Sequence, residues 1–257
     1  MPASPKLLKW LRDACAKYEH DVEALYRRRG TNAWPLSATN DAQLVKKLGD
    51  GGHFLPLPKE PAALANILEV AIVDYLIGRI ESTSGAAAQR GKERFYPDVE
   101  ISGPHFGGGF HAVDVKIAMR KRSKRGSKPP TQTQSRITLY TGNTYFAYPE
   151  MKWDGTFRPF AEYKSHVDVI GIYTLNAEST SRVDDLELIV QEPWTIASKK
   201  RSSTTREYIG AVMDIQALRE GRGEFKTEDE FYKYWRRYKF KVGDSVKSKL
   251  QRLLKKT

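Results

Sequence analysis

The chain has almost no cysteine. Cys15 stands alone among 257 residues, which excludes a disulfide framework and a cysteine-based zinc site. Its expected role is that of a small buried hydrophobe in a helix. Long uninterrupted apolar runs are missing too. The longest, Ala62 to Ile80, is broken by Asn66, Glu69, Asp74 and Arg79, so it is expected to be a core helix and not a bilayer span. Lys6, Lys9, Arg12 and Asp13 precede any apolar run at the start of the chain, which argues against a secretory signal. A cytoplasmic protein with no membrane partner is expected. Negative charge is also in short supply: 31 Asp plus Glu face 43 Lys plus Arg, a net charge of +12. That imbalance points to a polyanionic partner, nucleic acid before an anionic membrane. The 5 Trp, 10 Phe and 13 Tyr supply ample material for a core, which excludes wholesale disorder, and the length fits one domain over 1–257.

Hydrophobic spacing predicts an amphipathic helix from Pro5 to about Arg29, on Leu7, Leu8, Leu11, Cys15 and Tyr18 and then Val22, Leu25 and Tyr26, stopped by Gly30. Residues 31–58, with scattered Pro and Gly, read mostly as loop. A second helix begins near Pro61 and ends before Gly85. It is apolar nearly all round and is expected to be buried; Glu69 and Asp74 interrupt it. Two strands follow, Asp98–Ser102 and Phe110–Ala118, joined through Pro104 and three glycines. In the second, alternation sets Phe110, Ala112, Asp114, Lys116 and Ala118 on one face and His111, Val113, Val115 and Ile117 on the other. Further strands are expected at Arg136–Thr141, Val167–Leu175 and Leu186–Gln191. Thr227-Glu-Asp-Glu230 is a capping-box pattern that opens a late helix with Phe231, Tyr234, Trp235 and Tyr238 as its apolar stripe. Residues 241–257 form a basic amphipathic helix or a frayed end.

The residues that carry chemistry are Tyr96-Pro97-Asp98 and Val113-Asp114-Val115-Lys116. Two carboxylates on adjacent strands can hold Mg²⁺ through oxygen ligands, with waters and a phosphate oxygen completing the shell. Such an ion polarises a phosphate and lowers the pKa of a bound water. Lys116, two residues beyond Asp114, lies on the same strand face. It can orient or deprotonate the attacking water, or stabilise the charge that builds up on phosphorus. A solvent-facing Asp–Lys salt bridge is the competing reading of that pair. Glu69 sits in an apolar helix, where an unpaired carboxylate is costly; a metal contact or a dimer contact would each account for it. Asp74 reads as a paired structural acid.

In these residues the chain resembles the PD-(D/E)xK nucleases, and among them the type II restriction endonucleases. The resemblance runs from about Leu64 to Tyr238. It includes Ile67-Leu-Glu69-Val, Arg158-Pro-Phe-Ala-Glu-Tyr163 before Ile170-Gly-Ile-Tyr-Thr174, and Gln191-Glu-Pro-Trp-Thr-Ile-Ala197 with Ile209-Gly210 following. It also includes Glu220-Gly-Arg-Gly-Glu-Phe225 with Glu228-Asp-Glu-Phe231 and Tyr234-Trp235-Arg236. It implies a restriction-endonuclease-like α/β fold, with a central mixed sheet flanked by helices. It further implies Asp98 and Asp114 as Mg²⁺ ligands, Lys116 as the catalytic lysine and Glu69 as a secondary catalytic and metal-binding carboxylate. The N-terminal helix and the 61–84 helix are expected to contribute to a homodimer and to the active site. Double-stranded DNA is the implied substrate, cut at a short palindromic site to blunt ends with 5′-phosphates, and a cognate DNA methyltransferase is the implied companion.

In that family the segment after the tryptophan reads bases in the major groove. Here it is Ser198-Lys-Lys-Arg-Ser-Ser-Thr-Thr-Arg-Glu207, of the same length but without the family's glycines and asparagine, so a different recognition sequence is expected. Within it Lys199, Lys200 and Arg201 read as phosphate ligands, Ser202, Ser203 and Thr204 as part of the DNA-facing loop, and Thr205 and Arg206 as candidates for base contact. Residues 120–136 hold a second basic run, with Arg120, Lys121, Arg122, Lys124 and Arg125 expected to clasp DNA beside the scissile phosphate, against the alternative of a solvated charge run. Two other functions compete: a structure-directed repair or junction nuclease of the same fold, and a nucleic-acid-binding module without catalysis. The intact Asp98, Asp114 and Lys116 set argues against the second of these.

Overall fold

The computed structural model describes residues 3–20, 39–43, 45–46, 61–92, 95–122, 130–176, 179 and 181–255. The N-terminal helix α1 (Pro5–Cys15) starts with Pro at its first turn and buries Leu7, Leu11, Ala14 and Cys15. It ends well short of the expected Arg29. Tyr75 donates its hydroxyl to the Ala14 carbonyl at 2.8 Å, which satisfies an end-of-helix acceptor, and Tyr18 then packs edge-on to Tyr75. Val22, Leu25, Tyr26 and most of the expected 31–58 loop lie outside the described residues.

Helix α2 (Pro61–Glu81) is long and apolar enough to cross a membrane by length and composition. Its packing is that of a core helix with one buried side. Leu64, Leu68, Ile72, Leu76 and Ile80 recur every fourth residue and are fully buried. The expectation that it is buried all round is corrected. Ala62, Ala63, Asn66, Val70, Asp74 and Gly78 form an opposite, open row, with Val70 48% exposed. Apart from Val70, small and polar side chains make that row inexpensive to leave in water.

Five strands form the central sheet in the order β1 (Ala87–Arg90), β2 (Val99–Ser102), β3 (Phe110–Met119), β5 (Ser165–Leu175) and β6 (Val183–Gln191). The β3–β5 pair is parallel and the others antiparallel, so the sheet is mixed as expected. Strand β1 had no sequence signal strong enough to be foreseen. Strand β5 is buried along most of its length, as the inner strand of a sheet covered on both faces must be. One face packs Val99, Val113, Val115, Val167 and Val169 against α1 and α2. The other packs Ala112, Ala118, Ile170 and Ile172 against an aromatic cluster that includes Tyr96, Tyr140, Phe146, Phe160, Phe231 and Trp235.

A second, three-stranded antiparallel sheet has the order β4 (Thr138–Thr141), β8 (Tyr208–Ala211) and β7 (Ala197–Arg201). The strand expected at Arg136–Thr141 therefore belongs to a separate sheet. Between β6 and β7 lies a single turn, α3 (Pro193–Ile196); after β8 come α4 (Ile215–Glu220) and α5 (Glu228–Arg237). The cap forms with its return bond shifted by one residue: Thr227 accepts from the Glu230 amide at 3.1 Å, and the Glu230 carboxylate accepts from the amide of Lys226, just before the cap, at 2.9 Å. The tail is helical, α6 (Asp244–Leu254), buries no residue, and is tied by Arg252 to Asp154 at 2.6 Å.

Candidate active site

The site forms where strand β2 stops. Val99, its first residue, pairs with Val113, and beyond that point β3 has no neighbour on this side. The unpaired Val115 amide donates to the Asp98 carboxylate at 2.7 Å, so Asp98 is pinned beside Asp114 by the backbone that β2 leaves open. Gly91 makes the approach possible. Its amide donates to the Asp98 carbonyl at 2.7 Å, and a Cβ at this position would lie 2.4 Å from the Pro97 carbonyl oxygen.

Asp114 and Lys116 project from the same face of β3 and form an ion pair with each other. Burial, and then the charge of Asp114, push Asp98 up to about 9, against the opposing pull of Lys116 and the Val115 amide. Burial draws the Lys116 ammonium down, but Asp114, Asp98 and Asp168 outweigh it and hold the group above the ordinary lysine range. Glu69, on α2, is raised by burial and by Asp114, with Lys116 acting the other way. Asp98, Asp114, Lys116 and Glu69 line one cavity of about 1010 Å³.

That cavity is walled by both sheets. Thr138, Leu139, Tyr140 and Thr141 of β4, Tyr208 of β8 and Arg206 from the hairpin line it opposite the carboxylates. Its cationic wall residues other than Lys116 are Arg90, Lys92 and Arg206. Arg90 also pairs with Asp74, which accounts for that acid in α2.

Asp98 and Asp114 suit a hard divalent cation. They offer oxygen donors from two neighbouring stretches of backbone, and the Asp114 charge disfavours ionisation of Asp98 until positive charge arrives. No cluster of three or more His, Cys, Asp or Glu poised to hold a metal occurs among the described residues. A two-carboxylate site leaves the rest of the shell to water and substrate oxygens, as Mg²⁺ prefers.

The basic segments are placed unequally. Arg120 is ion-paired with Glu187, which also takes two hydrogen bonds from Arg219 at 2.8 Å. Lys121 and Arg122 are exposed, while Lys124 and Arg125 lie outside the described residues. In the hairpin between β7 and β8, Lys199 sits 3.6 Å from Glu230 and Lys200 is exposed. Arg201 pairs with Glu207, and Ser202 shares a 2.8 Å hydrogen bond with Thr138. Ser203 is half-buried, and Thr204, Thr205 and Arg206 are exposed.

The expected site residues omitted three groups. Asp168 is the register partner of Asp114 on β5, is 1% exposed, and has one carboxylate oxygen with no hydrogen-bond partner. Burial, with the nearby Asp114 charge, raises it well above the ordinary carboxylate range, against the pull of Lys116. A lone acid between Val167 and Val169 was its available signal. Arg90 and Lys92 flank Gly91 just before the Pro-Asp step, and only the folded chain shows them at the cavity.

A family profile described as restriction endonuclease EcoRV matches residues 31–256. The chain belongs to the EcoRV restriction endonuclease family. The type II restriction enzyme EcoRV of Escherichia coli is 24% identical over 204 residues, covering 73% of this chain and 78% of that enzyme. The protein is accordingly a type II restriction endonuclease, a deoxyribonuclease, and enzymes of this family generally use divalent metal ions. The mixed sheet flanked by helices is the fold expected of the family.

Proposed function

We propose that the protein hydrolyses double-stranded DNA at a short palindromic sequence, with Mg²⁺ held by Asp98 and Asp114 and assisted by Glu69. The observation that carries this reading is the cavity itself, where an acidic pair and a charged lysine face a wall bearing Arg206, Arg90 and Lys92. Bound there, Mg²⁺ would supply Lewis acidity toward a phosphate oxygen and a lowered pKa for a bound water.

The chain's own groups perform the remaining work. Lys116, charged and anchored on Asp114, orients the attacking water and stabilises negative charge on the phosphorane oxygens. Its raised pKa favours that role over proton abstraction. Attack on phosphorus with departure of the 3′ oxygen leaves a 5′-phosphate. Lys121, Arg122, Lys199 and Lys200 hold the backbone, together with Lys124 and Arg125 of the same basic run, and Arg206 and Thr205 contact bases.

One active site per chain breaks one strand. A homodimer with two-fold symmetry, built with contributions from α1 and α2, cuts both strands of a site sharing that symmetry, here to blunt ends. The enzyme acts in the cytoplasm beside a methyltransferase that protects the same sequence. Plasmid digestion with Mg²⁺, followed by sequencing of the ends, tests this reading. Discrete fragments with blunt 5′-phosphorylated ends are expected. Nicks alone, diffuse degradation or cutting confined to branched DNA would overturn it.

A further inference from the structure

The hairpin that carries Arg206 is closed at its base by a charge pair. Arg201 is the last residue of β7 and Glu207 immediately precedes β8. Their side chains form an ion pair, with the Glu207 side chain only 9% exposed and that of Arg201 23%. The second guanidinium nitrogen of Arg201 donates across the turn to the Thr204 carbonyl at 3.3 Å. The Ser202 amide meets the Tyr208 carbonyl at 3.0 Å, and the Ser203 hydroxyl accepts from the amides of Thr205 at 3.2 Å and Arg206 at 3.3 Å. Glu207 is anchored through its backbone as well, its carbonyl accepting from the Gly142 amide at 2.7 Å.

We propose that Arg201 and Glu207 are positioning residues that preset the 202–206 loop, so that Arg206 enters the catalytic cavity already aimed. This rests on the reading of that loop as the base-reading element, and it moves Arg201 from the phosphate ligands to the loop's internal frame. The physical case is one of cost. Glu207 is enclosed and would be costly to leave without a partner, and a guanidinium engaged by Glu207 and Thr204 has two donors turned away from any DNA backbone. A loop ordered before binding loses less conformational freedom when DNA arrives, and that saving appears only where the contacts are specific.

The test compares Arg201→Ala, Glu207→Gln and the charge swap Arg201→Glu/Glu207→Arg with Lys200→Ala as a phosphate-contact control. All are assayed on the site that the unmodified enzyme cuts and on sites differing from it by one base pair. Failure of the unmodified enzyme to discriminate between sites would count against the base-reading role itself, whereas full discrimination retained by Arg201→Ala and Glu207→Gln would count against the positioning role of the Arg201–Glu207 pair.

Arg201→Ala and Glu207→Gln are expected to cut the recognised site at least ~10-fold more slowly and to narrow its advantage over one-base variants. The salt slope of non-specific DNA binding should stay unchanged, because no phosphate contact is lost, whereas Lys200→Ala should lower it by ~0.9. The charge swap should recover part of the lost discrimination. In the absence of DNA, amide hydrogen exchange at Thr205 and Arg206 should quicken in both single variants. A reduced salt slope in Arg201→Ala with equal loss at all sites would overturn the proposal. So would unchanged exchange at Thr205 and Arg206, or a charge swap no better than the single variants.

Discussion

Two regions of the molecule hold buried carboxylates next to cations, and they do so to different ends. At the sheet edge, Lys116 meets Asp114, but Asp98 is left beside them with its pKa pushed up to about 9. At the hairpin base, one arginine meets one glutamate and the neighbouring backbone completes the set. The first arrangement carries an acid too many, so it gains when a cation and a phosphate enter. The second is electrically complete and supplies shape. On the proposed function, a site assembled this way separates how fast DNA is cut from which DNA is cut, and the two regions should respond differently to substitution.

The largest contrast comes from the sheet edge. Asp98→Ala, Asp114→Ala or Lys116→Ala should lower single-turnover cleavage by ~10³-fold or more at every sequence, since each removes several kcal/mol of transition-state stabilisation. Glu69→Gln should be milder. DNA affinity, read by gel shift without metal, should survive all four, and near-normal cleavage by Asp114→Ala would end the distinction between the regions.

Arg206→Ala probes the other side. A bidentate arginine–guanine contact is worth ~1–3 kcal/mol, so cleavage of the recognised site should fall roughly 10- to 100-fold with little change in non-specific binding. Equal loss at all sequences would return Arg206 to the phosphates.

The surplus acid should also show in metal binding. Asp98 must release a proton to bind a cation, so below about pH 9 the apparent Mg²⁺ affinity of the DNA-free protein should climb by up to ~10-fold per pH unit. Calorimetric titrations at pH 6.5, 7.5 and 8.5 would detect this, and a flat series would show that Asp98 is already ionised.

The smallest effect concerns Asp168. Its folded-state pKa is raised, so its contribution to stability is present at low pH and is lost as pH rises, because the unfolded chain ionises first. Asp168→Asn should therefore raise Tm at pH 7, by ~2–4 °C for each kcal/mol recovered, and the gain should vanish below about pH 4. A lower Tm at pH 7 would instead make the acid a structural contact.

The shared face of Asp114 and Lys116 was legible because alternation is a local property. Asp114 and Lys116 had to share a face once Val113, Val115 and Ile117 claimed the other, and β3 turned out as that pattern required. The capping box at Thr227 was legible for the same reason. Arg120 was not. Its place in a basic run suggested DNA, but its partner Glu187 lies far along the chain on β6, and only the folded sheet brings the two together. The Arg201–Glu207 pair was hidden in a similar way, since it depends on a hairpin whose strands carried little signal. Short, partly exposed strands such as Ala87–Arg90 have no clear period to read.

The order of strands also bears on how the nuclease comes into being. Asp98 directly precedes β2, and Asp114 lies on its antiparallel neighbour β3 across a short turn, so the two can meet as soon as that hairpin closes. The parallel partner of β3 is β5, which lies beyond the whole of residues 120–164, and the Arg206 wall comes later still in the chain. Contacts of large sequence separation are slow to form because the intervening chain must be ordered first. A nascent chain can therefore bring Asp98 and Asp114 together before the wall that carries Arg206 is in place, and the cavity between them is complete only once β8 has been made.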